Sequence, residues 1–254
     1  MQEKGEEASG LASLVARIRD DDGGVGASEP TKEELLAALE GVPGWFEDGE
    51  AWALHEVVRL HPARLSGGPT VVEIGSWQGR STIVIARALR ARRSGLVHAI
   101  DPHRRTAIHE STGVEDTYGA FLANVRDAGL SDHVRPVRLR SSDARPQFAD
   151  RSVDVLLVDG AHGYDDVVRD IDEWTPALAD GATVAFHDVR SYGAVRRALA
   201  GRVVRFPSPF GNLRMVDELL LADFRPRGRW SPLDGLAAAR LRRSWARPSR
   251  AFRE

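Results

Sequence analysis

Val72-Glu73-Ile74-Gly75-Ser76-Trp77-Gln78-Gly79-Arg80-Ser81 is the stretch on which the fold turns. An apolar strand runs into a glycine, and a helix starts at a second glycine four positions on. Glycine is needed where a ligand approaches the backbone closely, because a Cβ would collide or forbid the dihedral. The spacing is G-x-x-x-G, whereas a dinucleotide fingerprint is G-x-G-x-x-G, whose later glycines let a pyrophosphate settle on the helix. Glu73 would repel a diphosphate and suits a ligand with an ammonium group nearby. A hydride-transferring dehydrogenase is therefore disfavoured.

Outward from this turn, strand and helix alternate. Thr70–Gly75 reads as a buried strand, and Gly79–Arg93 as a helix with Ile85, Ala88 and Leu89 on one face. Leu96–Asp101, Val134–Leu139, Val153–Asp159 and Ala182–His187 read as further strands. Tyr118–Ala128, Asp165–Ala179 and Tyr192–Ala200 read as helices, the second with Val167, Ile171, Trp174 and Leu178 at helical spacing. Two last strands are expected around Val203–Phe206 and Leu213–Val216. The pattern predicts an α/β fold with a seven-stranded, mostly parallel sheet and helices on both faces.

Upstream, Thr31 and Glu34 make a capping-box signature, and Trp45–Leu60 reads as a second helix. These form a small N-terminal helical cap over 31–66, before a main domain at 67–221. Residues 1–30, with the acidic run Asp20-Asp21-Asp22 and a short helical pattern at 11–18, read as a loosely held arm. Residues 103–116 are polar without periodicity and are a candidate lid. From 222 to 254 the chain is arginine-rich, with Trp230 and Trp245 interspersed. It reads as a helical, solvated tail, a contact with an anionic partner or another subunit being the alternative.

The 254 residues carry a formal net charge of −2, which gives no global argument for a nucleic-acid or membrane partner. Neither does the 67–221 region show a basic aromatic stripe. With no cysteine, disulfides and thiolate chemistry are excluded. The first ten residues, MQEKGEEASG, lack the apolar core of a secretory signal, and no apolar run is long enough to span a bilayer. A cytoplasmic protein is expected.

In parallel sheets ligands sit beyond the carboxyl ends of the strands, and here those ends are the polar spots. Asp101 closes the second strand, where an acid can accept both hydroxyls of a ribose. Ser142-Asp143 follows the third strand, where a hydroxyl and a carboxylate can meet an adenine edge. The fourth strand ends in Asp159-Gly160-Ala161-His162 and the fifth in His187-Asp188. As neighbouring ends, they bring Asp159 and Asp188 over one patch. Two carboxylates about 4 Å apart repel by roughly 4 kcal/mol at an effective dielectric of about 20, a cost that a cation between them turns into binding. Oxygen ligands with a histidine nearby suit Mg²⁺, Mn²⁺ or Ca²⁺.

Glu73-Ile74-Gly75-x-Trp77-x-Gly79-x-Ser81, the acid at Asp101 and the Ser142-Asp143 pair resemble class I S-adenosylmethionine-dependent methyltransferases. They are especially similar to the metal-dependent O-methyltransferases, which include catechol O-methyltransferase and bacterial sugar O-methyltransferases. The resemblance covers roughly 45–217, and Thr175–Val189, after VDGAHGYDDV, looks most like the bacterial branch that acts on sugars and natural products. It implies a Rossmann-like fold and an S-adenosylmethionine site. Glu73 and Gly75 would lie against the methionine part, and Ser81 on its carboxylate. Trp77 would line the pocket, with Ser76 and Gly79 in the same turn. Asp101 would hold the ribose, and Ser142 and Asp143 would face the adenine.

The resemblance further implies a divalent cation, magnesium first, on Asp159, His187 and Asp188, with His162 as the base that takes the acceptor's proton. Catechol enzymes commonly have a lysine base and an Asp-Asn pair at the fifth strand. His187 is therefore open to ligating the metal, orienting a ligand or only packing. Asp165 and Asp166 read as caps of the following helix, and Trp45 and Trp52 as core residues, with sugar stacking the alternative for one of them. The implied acceptor is a hydroxyl of a sugar, glycoside or polysaccharide precursor, taken as a small molecule or oligosaccharide. A catechol-like or other natural-product hydroxyl is the alternative, and a non-catalytic cofactor-binding scaffold is an alternative of another class. Nucleic-acid methylation is disfavoured, because strand four lacks the Asn/Asp-Pro-Pro-aromatic ending. Related enzymes often form homo-oligomers.

Overall fold

The computed structural model describes residues 30–62, 67–104, 116–226 and 232–245. The arm at 1–29, most of the candidate lid (105–115) and Trp230 lie outside the described residues. Seven strands form one sheet: β1 (Thr70–Ile74), β2 (Leu96–Ile100), β3 (Val134–Val137), β4 (Val153–Val158), β5 (Leu178–Phe186), β6 (Phe210–Val216) and β7 (Leu219–Phe224). The order across the sheet is β3-β2-β1-β4-β5-β7-β6. Every pairing from β3 to β5 is parallel, while β7 is antiparallel to both β5 and β6. This is the expected mostly parallel, Rossmann-like sheet, and β1 and β4 lie side by side at its centre.

Alternate residues of the strands feed two cores. Val72, Ile74, Leu156, Val158, Val184 and Phe186 face one side, which is covered by α6 (Tyr164–Trp174), α7 (Gly193–Arg202) and part of α8 (Pro232–Trp245). Val71, Val97, Ala99, Val155, Leu157 and Ala185 face the other side. There they meet α1 (Lys32–Ala37), α2 (Asp48–Leu60), α3 (Arg80–Arg92) and α4 (Thr117–Asp127). A further short helix, α5 (Ser141–Ala144), follows β3 and was not foreseen.

The capping box of α1 forms as expected. Thr31 Oγ1 accepts from Glu34 N at 3.1 Å, and Glu34 Oε2 accepts from Thr31 N at 2.9 Å. The second helix starts at Asp48 and not at Trp45, because Pro43-Gly44 holds the preceding loop extended and the helix is capped by Glu47 and Glu50. Trp45 is thereby left in a loop. Val203–Phe206 is not a strand: Val203 and Val204 are buried and both donate to Leu199 O, closing the C-terminal end of α7. The last hairpin is β6–β7, and β7 runs three residues past the expected end of the domain at 221. The expected long helix 165–179 stops at Trp174, since Pro176 cannot continue it, and β5 begins at Leu178.

Candidate active site

A cavity of about 690 Å³ opens at the carboxyl ends of β1, β2, β4 and β5. That volume suits a small-molecule ligand, since such sites run roughly 300–1,000 Å³. Gly75, Ser76, Trp77, Ser81, Asp101, Ser142, Asp159, His162, His187 and Asp188 all line it. Glu73 and Gly79 do not, and Asp143 lines a smaller adjoining cavity with Arg138 and Arg140.

Gly75 has φ +89°, and a Cβ there would come within 2.0 Å of the Asp159 carbonyl oxygen. The glycine is thus required by close approach of β1's end to β4's end, independently of any ligand. Asp101 braces the turn that follows. Its Oδ2 accepts from Ser76 N (3.1 Å) and Trp77 N (2.9 Å), and its Oδ1 from His103 N (2.6 Å). Ser76 Oγ is buried against this cavity with no hydrogen-bond partner among the described residues. A buried hydroxyl left so is costly unless a ligand completes it, which fits a cofactor with polar groups at the turn.

Glu73 sits fully buried beneath the turn, where the hydroxyls of Ser81 (2.5 Å) and Thr82 donate to its two oxygens. Burial pushes its carboxyl up to about 8, although these hydrogen bonds oppose the rise. The expectation that Glu73 touches the methionine part is therefore corrected: it anchors the start of α3 from behind.

At the other end of the cavity, His162 Nε2 lies 2.7 Å from Asp188 Oδ2, and the His162 ring stacks on Tyr192 with centroids 4.0 Å apart. Asp188 has φ +60°, a left-handed conformation in which aspartate is among the better-tolerated residues. Burial raises its pKa, but hydrogen bonds from His162 and His187 outweigh this and hold it well below the usual carboxylate range.

His187 Nδ1 is 2.9 Å from Asp159 Oδ1 and 3.5 Å from Asp188 Oδ2, and its Nε2 is 3.2 Å from Glu50 Oε2. Phe46 stacks on the ring at 4.6 Å. Both edges of the ring are thus turned to carboxyl groups. Burial works against the charged ring, yet the carboxylates prevail and hold its pKa far above the histidine range. With both ring nitrogens so engaged, His187 lies outside the group whose ligand atoms come together. The groups placed to hold a cation are Asp159, His162 and Asp188, each offering a ligand atom within 4.8 Å of the others. Two carboxylate oxygens and one imidazole suit a hard divalent ion.

Three contributors were not singled out from the sequence. Glu50 stands at the head of the buried stripe Leu54, Val57 and Val58 of α2. Asp170 lines the cavity from among Val167, Ile171 and Trp174. Burial raises its pKa to about 6, against a hydrogen bond with Ser141. A carboxylate on an otherwise apolar helix face was the available signal for both. Arg80 donates to the carbonyls of Phe46 (3.2 Å), Leu39 (2.9 Å) and Val42 (2.8 Å), fastening the cap to α3. Of the two tryptophans expected in the core, Trp52 packs against it, whereas Trp45 is 56% exposed and lines the cavity, 4.4 Å from the Trp77 ring.

Comparison with known proteins agrees with this geometry. A family model described as "Methyltransferase domain" matches residues 72–189, which run from β1 through the Asp188 turn. An uncharacterized protein of Sinorhizobium fredii is 30% identical over 171 residues, 66% of this chain; the match spans only 18% of that relative's length. The structure of the O-methyltransferase NovP superposes with a TM-score of 0.56 at 17% identity, covering 87% of this chain and 98% of NovP. TomG from Streptomyces achromogenes, solved in complex with S-adenosylmethionine, gives 0.50 at 19% identity over 84% of this chain and 96% of TomG. The family model thus takes in the central strands of the sheet and every strand end that lines the cavity. The chain shares its fold with these two solved O-methyltransferases.

Proposed function

We propose that this protein transfers the methyl group of S-adenosylmethionine to a hydroxyl of a sugar, glycoside or related natural product, with a divalent cation held at Asp159 and Asp188. The observation that carries the reading is the convergence of Asp159, His162 and Asp188 on the same cavity as the Gly75 turn. In the transfer the acceptor oxygen bonds to the methyl carbon, the carbon–sulfur bond breaks, and S-adenosylhomocysteine leaves. A bound cation would stabilise negative charge developing on the acceptor oxygen, an effect of several kcal/mol in general.

His162 is the base that takes the hydroxyl proton, at Nδ1 while its Nε2–H is held by Asp188, with the ring stacked on Tyr192. Ser76, Trp77, Ser81, Asp101 and Ser142 form the cofactor's end of the cavity. Trp45, exposed and tilted against Trp77, gives the acceptor an aromatic face on which a sugar or phenolic ring can lie. A second reading makes His162 a cation ligand, because its ring nitrogen falls within the same cluster as the two carboxylates.

One variant separates the two. As base, His162→Ala lowers turnover by roughly 10²–10⁴-fold, with Mn²⁺ and S-adenosylhomocysteine affinities retained in calorimetry. Loss of Mn²⁺ binding in this variant would make His162 a ligand. Turnover that EDTA leaves undiminished would remove the cation from the reaction. A screen of glycosides and catechols with labelled cofactor identifies the acceptor, and methyl incorporation into neither class sinks the substrate reading.

A further inference from the structure

Glu50 is fully buried although it belongs to the first turn of α2, where an acidic side chain is stabilising without leaving water. Its neighbour Asp48, in the same turn, stays exposed. The Glu50 carboxylate gathers three donors from three parts of the chain. Oε1 accepts from Glu218 N at 2.5 Å, in the β6–β7 turn. Oε2 accepts from Glu47 N at 2.8 Å and from His187 Nε2 at 3.2 Å. The Glu47 contact is an ordinary capping box, which needs one oxygen and no burial. Taking a carboxylate out of water costs several kcal/mol unless its partners compensate. Its burial places it against His187, whose other ring nitrogen reaches Asp159 at 2.9 Å. Phe46, in the loop before α2, lies flat on the same ring.

The geometry points to Glu50 as a positioning residue of the reacting centre. By holding the Nε2 edge of His187 it keeps Nδ1 on Asp159, and so sets how Asp159 faces the cavity and ties the cap to the β4 and β5 ends. Glu50 does not itself line the cavity. The inference rests on Asp159 being a cation-holding group of a methyl-transfer site.

The test uses the full chain with S-adenosylhomocysteine present and Mn²⁺ as the calorimetric probe, comparing wild type, Glu50→Gln, Glu50→Asp, His187→Gln and the Glu50→Gln/His187→Gln double variant. Glu50→Gln keeps the shape but sets an amide N–H against one of the three donors. It should weaken Mn²⁺ binding by roughly 10- to 100-fold, the usual effect of removing a group that orients a ligand. S-adenosylhomocysteine affinity should hold, and Glu50→Asp should recover part of the loss. In the His187→Gln background the Glu50→Gln change should add nothing, because its effect passes through that ring. Unchanged Mn²⁺ affinity in Glu50→Gln, or a loss that persists in full without His187, overturns the role of Glu50 alone. A wild type that binds no Mn²⁺ overturns the cation reading and this inference together. If melting curves show Glu50→Gln unfolded, Glu50→Asp replaces it, and the role fails unless Glu50→Asp weakens Mn²⁺ binding on its own and adds nothing to His187→Gln.

Discussion

Glu73 is a carboxyl group with no water around it, one strand residue away from the turn it supports. It pairs in register with Ala99 of β2 and Leu157 of β4, so the centre of the sheet surrounds it. Its folded-state value of about 8 lies above the ordinary 4.5, so the native state holds its proton where the unfolded chain has released it. Stability contributed by the protonated group is complete below pH ~4.5 and is lost as pH rises through ~8. Glu73→Gln removes the titrating group while keeping its shape. Denaturant melts should show the variant gaining about 1–3 kcal/mol on wild type at alkaline pH and little at acid pH. Equal pH slopes for the two proteins would show that Glu73 titrates normally.

Among the elements, the cap is joined to the sheet by few, nameable contacts. Arg80 at the start of α3 donates to three backbone carbonyls of the loop between α1 and α2. Arg80→Met keeps much of the stem but strips the donors. It should destabilise by roughly 1–3 kcal/mol, since those carbonyls lose their partner. Hydrogen exchange should then quicken across 39–46 and stay slow in β1 and β4, and uniform exchange would place the cap's anchorage elsewhere. Periodicity made the central strands and the long helices legible, because burial on both faces leaves a continuous apolar signature. The ends of elements were less so. Val203-Val204 resembles a strand and is spent on closing α7, and Trp45 resembles a helix residue and faces the cavity. At the site, Gly75, Asp101, Asp159, His162 and Asp188 could be read from strand ends alone. Glu50 could not, because its partners lie at 187 and 218, and no local pattern marks so distant a pairing.

For the molecule as a whole, the expected solvated tail is corrected. Helix α8 lies against β6 and buries Ala238, while Leu241 and Trp245 pack partly on the same core. The Asp234 carboxylate of α8 accepts from Asn212 N at 2.9 Å. A chain ending at 226 should lose roughly 2 kcal/mol or more of stability in thermal or denaturant melts; a tail free in solvent would leave the melt unchanged. On its outer side α8 shows Leu233 and Leu236 to solvent, singly placed apolar residues of an ordinary surface. Among the described residues no helix is long and apolar enough to cross a membrane.

Because Gly75 rests directly on the carbonyl of Asp159, the separation between the Gly75 turn and the carboxylates at the ends of the fourth and fifth strands is gauged by main chain against main chain. Side-chain replacement cannot lengthen or shorten that gauge. The cavity's shape would have to vary at the rim, at Trp45 and the cap loop, while the distance between its two ends stays constant.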